Sequence, residues 1–324
     1  MRRIMSWALL ALGLVCLAPG MTDAQEWKPT RAIKLICPFP AGGGTDIIAR
    51  IVAKYLSDQL GQQVYVENRG GANGGIGVQA LIQADPDGYT LGAISDSPMT
   101  VNPSLYANLP YHPLRDSIPI AMINKFPAIL TAHPSVPVNN VKELIDYAKA
   151  NPGKLNYSSG GIGNFSHLGL ELLAFQTGIK LVHVPYKGVG PATQAVLAGE
   201  VQLMYNNIAS ALPHMTAGKL KGIAVGDLQR NSELANIPAI AETVPGFTVT
   251  PWVGLFAPAK TPKEITTRLS REIDVMLKNP AVVQNFKTQM ITAAYLDSGP
   301  FSEEIQKQTD TWAKVIKTLG IKVE

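Results

Sequence analysis

Two glycine-rich strings in this chain stand where backbone chemistry can bind an anion. Ala41-Gly42-Gly43-Gly44-Thr45-Asp46 runs straight into a helical pattern, and Ser158-Ser159-Gly160-Gly161-Ile162-Gly163-Asn164 does the same in the other half of the chain. At the start of a helix the first N–H groups have no intrahelical acceptor and the helix dipole adds partial positive charge, so a loop without side chains there admits an anion. Taken alone, the first string reads equally well as a tight turn with Asp46 capping the helix. A second string at the equivalent point of the second half favours one ligand shared by both. Each helix N-terminus contributes ~0.3 to 2 kcal/mol toward an anion, and each hydrogen bond to a charged group about 1.5 to 3 kcal/mol. The ~8 kcal/mol of a micromolar ligand therefore takes roughly four or five such bonds, from both loops together.

Other chemistries fail when their motifs are tested. There is no G-x-x-x-x-G-K-[ST] and no G-x-S-x-G. Gly75, Gly77 and Ala80 spell G-x-G-x-x-A, but the string follows an Asn/Arg/Gly loop rather than leaving a strand, which reads as turn and packing instead of nucleotide binding. His167 and Glu171 are four apart on a helical pattern without the third and fourth ligands a metal needs. His112, His133, His183 and His214 are scattered among prolines and apolar residues, with no serine or cysteine partner suggested, and read as structural. No metal, cofactor or catalytic set is called for. Trp252, Phe165 and Tyr205 read equally as core or as ligand-stacking residues.

The elements that must position the loops follow from periodicity. Ile33 to Cys37 is a short apolar run. The loop Pro38 to Thr45 follows, then a helix carrying Ile47, Ile48, Ile51, Val52, Tyr55 and Leu56 on one stripe and stopping at Gly61. A strand Val64 to Glu67, a helix Ile76 to Gln83 and a strand Tyr89 to Ile94 complete βαβαβ, which implies parallel strands. The order returns with strand Leu155 to Ser158, helix Ser166 to Thr177, strand Lys180 to Val184, helix Pro191 to Ala198 and strand Val201 to Tyr205. Helix Ala209 to Ala217 and strand Leu220 to Val225 extend it. Leu255 to Ala257 and the helices Pro262 to Leu277 and Ser302 to Leu319 stay unassigned, and all three are expected to return to the first unit. Two such α/β units place ligands at the carboxyl ends of their strands, in the crevice between them: a clamshell.

Composition bounds the rest. The chain has 324 residues, a length that suits two domains, with 46% hydrophobic and 16% charged residues and no long charge run, which excludes a disordered or coiled-coil protein. Its net charge of +4 is spread thinly, without basic residues interleaved with aromatics, so nucleic acid is not an expected partner. Arg2 and Arg3 precede the apolar run Trp7 to Leu17 and small residues follow, which reads as a secretory signal peptide, residues 1–24, cleaved after Ala24. The run is too short to span a bilayer. Val15 before Cys16 is bulky where a lipoprotein signal has a small residue. Cys37 remains in the mature chain and reads as a buried core thiol.

The strings PFPAGGGTDIIAR, NPSLYANLPYHP, KANPGKLNYSSGGIG, VHVPYKG and GLFAPAKTP, in that order along the chain, resemble the substrate-binding proteins of tripartite tricarboxylate transporters, the Bug receptors. The resemblance covers essentially the whole mature chain. It implies a periplasmic "Venus flytrap" of two α/β domains with two crossover segments, near Ile118 to Thr131 and Phe247 to Leu255. The domains would be residues 25–124 plus 250–324, and residues 125–249. It further implies a monomer that holds a small carboxylate ligand without an arginine clamp and passes it to membrane subunits of the transporter. The ligand-binding residues it points to are Phe39, Ala41, Gly43, Thr45 and Asp46 in the first loop, and Ser158, Ser159, Gly161 and Asn164 in the second, to which His167 is added.

Two departures bear on the ligand. The family usually shows Phe-Asp where this chain has Tyr205-Asn206, and small residues where it reads Ser95-Asp96-Ser97-Pro98. Ser95, Ser97 and Asn206 are thus expected to face the ligand's distal end. That end is open to a second carboxylate, an amide, an amino group or an aromatic ring. A sensory receptor for a signalling partner, and a secreted enzyme using the same crevice, are the alternative functions.

Overall fold

A computed structural model describes residues 27–321; the expected signal peptide and its cleavage point lie outside the described residues. The first apolar run forms β1 (Ile33–Cys37), followed by β2 (Val64–Asn68) and β3 (Thr90–Ser95). β1 pairs in parallel with both. Between them run the helices Gly44–Leu60 and Gly75–Ile82. The first buries Ile48, Val52, Tyr55 and Leu56 on one stripe and ends at Gly61, whose φ of 64° is the left-handed conformation that closes a helix without side-chain strain. In the second, a Cβ on Gly77 would sit 2.7 Å from the backbone of Pro38, so this glycine serves close packing of helix on loop, as the motif test anticipated.

The sheet then departs from a parallel plan. β4 (Ser117–Lys125) leads into β5 (Ala128–Ala132), and these two strands occupy most of the stretch expected to be a plain crossing. Both are almost wholly buried, and an uninterrupted apolar run carries no alternation to mark it as a strand. In the second half β6 (Asn156–Ser159), β7 (Val182–Pro185), β8 (Leu203–Asn207) and β9 (Lys221–Val225) match the expected order. β10 (Trp252–Pro258) contains the unassigned Leu255 to Ala257, and β11 (Thr292–Asp297) was not anticipated. The six-stranded sheet has the order β11-β4-β10-β3-β1-β2 and the five-stranded sheet β7-β6-β8-β5-β9. β10 is antiparallel to β3 and β4, and β5 to β8 and β9, so both sheets are mixed.

The chain passes between the sheets twice, at Phe126-Pro127 and at Thr250-Pro251, and the Phe126 N–H donates to the Pro251 carbonyl at 2.7 Å. The helix Lys263–Lys278 returns to the first sheet, burying Ile265, Leu269, Ile273 and Met276 in its core. The last helix, Ser298–Leu319, belongs to both sides: Phe301 and Ile305 pack with Trp252 and Phe256, while Trp312 and Ile316 join a core built mainly from the second sheet. Cys37 is a buried free thiol as expected, its pKa pushed up to about 12, chiefly by burial.

Candidate ligand cavity between the sheets

The first loop is held open by a carboxylate beneath it. Gly42, at φ 85°, donates its N–H to Asp46 Oδ2 at 3.0 Å; the same oxygen accepts from Arg50 Nε at 2.9 Å, and Asp46 Oδ1 from Asn68 Nδ2 at 2.9 Å. Burial raises the Asp46 pKa, but the bonds from Arg50, Gly42 and Asn68 outweigh it and the net shift is downward. Three donors thus hold the carboxylate, and Asp46, expected at the ligand, does not line the cavity between the loops. It fixes the loop so that the first-turn amides, which have no intrahelical acceptor, face the cleft.

The second loop is built the same way, with different parts. Asn164 caps the helix Phe165–Thr177 by accepting from the Ser166 N–H at 3.1 Å, and Ser166 Oγ in turn accepts from Gly160 N–H at 2.9 Å. Ser158 Oγ donates to the Ala192 carbonyl at 2.9 Å, and Ser159 Oγ lies 2.6 Å from His183 Nε2. His183 therefore does have a serine partner, contrary to expectation, because β6 and β7 are parallel neighbours that set residues 157 and 183 opposite each other. His167 accepts from the Gly163 N–H at 3.2 Å and stacks on His183 with ring centroids 4.1 Å apart, over Tyr157. Burial lowers the His183 pKa to about 4. Burial first, then the charge of His183, lowers that of His167 to about 3, so both rings are neutral at pH 7. Ser158, Ser159 and His167 are buried beneath the loop, and neither they nor Gly161, within the loop, line the cavity.

The cavity between the loops has a volume of about 290 Å³ and is lined by Phe39 to Thr45, Ser95, Asp96, Phe126, Asn164, Phe165, Lys187 to Pro191, Asn207, Pro251 and Trp252. Phe39, Ala41, Gly43, Thr45, Ser95 and Asn164 are thus brought together as expected. Ser97 is not, being 1% exposed inside the short helix Asp96–Thr100. Asn206 is also absent: fully buried, it donates to Thr193 Oγ1 at 3.0 Å and accepts from the Asn207 N–H at 2.9 Å. The cavity residue is its neighbour, Asn207, whose Oδ1 caps the helix Ile208–Thr216 and whose Nδ2 lies against Gly44 of the first loop. Trp252 and Phe165 line the cavity, whereas Tyr205 is core, its hydroxyl donating to the Val249 carbonyl at 2.7 Å.

Sequence reasoning missed a third glycine loop, Lys187-Gly188-Val189-Gly190-Pro191, which opens the helix Val189–Leu197 with Gly188 at φ 113°. Its Gly/Pro spacing after a strand carried the signal. It also missed Asp96. The N-termini of three helices, two of them presenting glycine backbone and the third Asn164 and Phe165, therefore meet with the cation Lys187 at one largely apolar space, an arrangement that binds an anion through backbone donors. Among the described residues no group of His, Cys, Asp or Glu is placed to hold a metal ion, and no helix is long and apolar enough to cross a membrane.

Two α/β domains joined by two crossings around a cleft cavity define a periplasmic-binding-protein fold. The profile described as "Tripartite tricarboxylate transporter family receptor" matches residues 48–321. The protein BugT of Bordetella pertussis is 34% identical over 99% of this chain and 99% of its own length. Among solved structures, Rpa4515 of R. palustris with adipate superposes with a TM-score of 0.88 at 32% identity, covering 91% of this chain and 99% of that one. The periplasmic binding protein BugD does so at 0.85 and 33%, covering 91% and 100%. The chain belongs to the tripartite tricarboxylate transporter receptor family, the Bug receptors, whose members are solute-binding proteins.

Proposed function

We propose that this protein captures a small carboxylate in the cavity between its two domains and delivers it, in the periplasm, to the membrane subunits of a tripartite tricarboxylate transporter. The mature chain starts after Ala24 and acts as a monomer, with domain boundaries at residues 25–124 plus 250–324 and residues 125–249. The observation that carries this reading is the convergence of three helix N-termini, two of them with glycine backbone, and Lys187 on a cavity whose apolar wall is Phe39, Phe126, Phe165, Pro251 and Trp252. Such a space accepts a carboxylate with a short carbon skeleton, and the adipate bound by Rpa4515 is a ligand of this kind. A binding rather than catalytic role is supported by the placement of the Ser159–His183 pair, neither of whose residues lines the cavity.

The test is a thermal-shift screen of mono- and dicarboxylates, followed by calorimetry on wild type and Gly43→Val. Ligand bound to the native state alone stabilises by about 2.7 kcal/mol at one hundred times Kd. Gly43 has φ −80°, and a Cβ there would sit 3.7 Å from the Pro40 carbonyl, so valine fits the backbone while its side chain occupies the approach to the first-turn amides. The expected result is a melting temperature kept and carboxylate binding lost. Unchanged affinity in the variant removes the first loop from the site.

A further inference from the structure

Asp96 is the acidic side chain on the wall of a cavity built for an anion. It follows β3, the neighbour of β1 in the sheet, so the turn that carries it opens at the same edge as the first glycine loop. The residue is 6% exposed and borders the cavity on one side and a second cleft, containing Lys125 and Asp227, on the other. The groups acting on its carboxyl are its own amide and the amide and hydroxyl of Ser97, with no cation among them. Burial dominates these and pushes its pKa up to about 7, the behaviour of a carboxyl that the protein itself leaves without a counter-charge. Lys125 is an exposed residue of the second cleft, and Lys187 lines the cavity on the loop of the other domain. A buried carboxylate is stable when paired, and here the space beside it is the space the ligand fills.

We propose that Asp96 is a specificity residue that takes an amino group of the ligand, so that the cavity prefers a molecule carrying one carboxylate and one ammonium group over a molecule carrying two carboxylates. The inference rests on the carboxylate reading of the glycine loops and narrows it. An ammonium group supplies the missing counter-charge and up to three donors to an acceptor-only carboxylate. A second carboxylate at the same place meets a like charge on the ionised form of Asp96 and finds no counter-charge on the protonated one.

The experiment is calorimetry with aminocarboxylates, alkanoates and dicarboxylates of four, five and six carbons, on wild type, Asp96→Asn and Asp96→Ser, with melting curves of the free proteins as the control for folding. Wild type is expected to bind its best aminocarboxylate at least tenfold more tightly than the alkanoate and the dicarboxylate of the same length. In titrations at pH 8.5, where Asp96 is ionised, Asp96→Asn is expected to lose that preference and to gain at least tenfold for the dicarboxylate. A wild type that binds dicarboxylates as well as aminocarboxylates, or variants with unchanged selectivity, overturns the role of Asp96 while leaving the carboxylate site standing. Absence of binding by every compound in the panel overturns both. Because the wild-type ratio is itself decisive, a variant that fails to fold does not shelter the proposal.

Discussion

Asn206 and Asn207 show how one step along a strand separates structure from function. Successive residues of β8 point to opposite faces, and at its carboxyl end this puts Asn206 inward against Thr193 and leaves Asn207 at the cavity, where its Oδ1 caps a helix and its Nδ2 is left toward Gly44. Asn206→Ala leaves Thr193 Oγ1 and the Asn207 N–H short of a partner and is expected to cost about 1–3 kcal/mol of stability, with ligand affinity retained. Asn207→Ala removes a helix cap, a loss of about 1 kcal/mol, and is expected to weaken ligand binding several-fold as well. Urea denaturation and calorimetry on the two variants separate the roles, and a larger affinity loss for Asn206→Ala reverses the assignment. The departure from the family's usual Phe-Asp was legible in the sequence; which of two adjacent asparagines reaches the cavity was not, because that depends on where β8 ends.

At the scale of elements, the glycine loops and the helices behind them were legible because each has a local cause: an apolar stripe at helical spacing, a glycine stop, a loop free of side chains. The central strands were harder. β4, β5 and β10 are buried on both faces, and nothing local says whether such a run is a strand or a passage between domains. The side-chain layer under the second loop depends on pairing between β6 and β7 and was likewise out of reach, although it has a measurable consequence. His167 and His183 have pKa values lowered by the fold, to about 3 and about 4, from an ordinary 6.5. Below pH 6.5 the unfolded chain binds protons that the native state refuses. The stability held by this layer is therefore complete above pH 6.5 and is lost as pH falls toward 4, at about 1.4 kcal/mol per pH unit for each ring. Asp96 works in the opposite sense between pH 7 and its unfolded value near 3.8, taking up a proton in the native state first. Urea melts of wild type and His183→Gln between pH 7.5 and 5 isolate the histidine contribution: the variant is expected to lose stability less steeply on acidification. Parallel curves would show that the layer does not resist protonation.

At the scale of the whole molecule, the two passages between domains lie side by side, tied by the Phe126 N–H to Pro251 carbonyl bond, with Thr250 Oγ1 donating to Asp227 Oδ1 at 2.8 Å beside them. Rotation about such a pair changes few backbone angles and leaves both sheets intact, which is the geometry of a hinge. Around the cavity the domains touch: Gly44 lies against Asn207, Pro40 sits 3.8 Å from a Cβ placed on Gly188, and Gly163 faces Leu105, Val101 and Asn73. A side chain at Gly163 would collide with Leu105, and its φ of 79° disfavours one in any case, so this glycine permits the closed contact. Opening is opposed by the last helix, which buries Phe301 with the first sheet and Trp312 and Ile316 with the second. A closed state held only by these contacts gains the ligand's binding energy when the cavity fills, and the population shifts by the differential affinity of the two states. Small-angle scattering is therefore expected to show a smaller radius of gyration with saturating ligand than without. Trp312→Ala, which removes the apolar strap at a residue that does not itself line the cavity, is expected to enlarge the ligand-free form further and to leave the ligand-bound one compact. Superimposable profiles with and without ligand, in wild type and in Trp312→Ala alike, would mean that the cleft does not open by rotation at this hinge and that ligand reaches the cavity by local movement of the glycine loops.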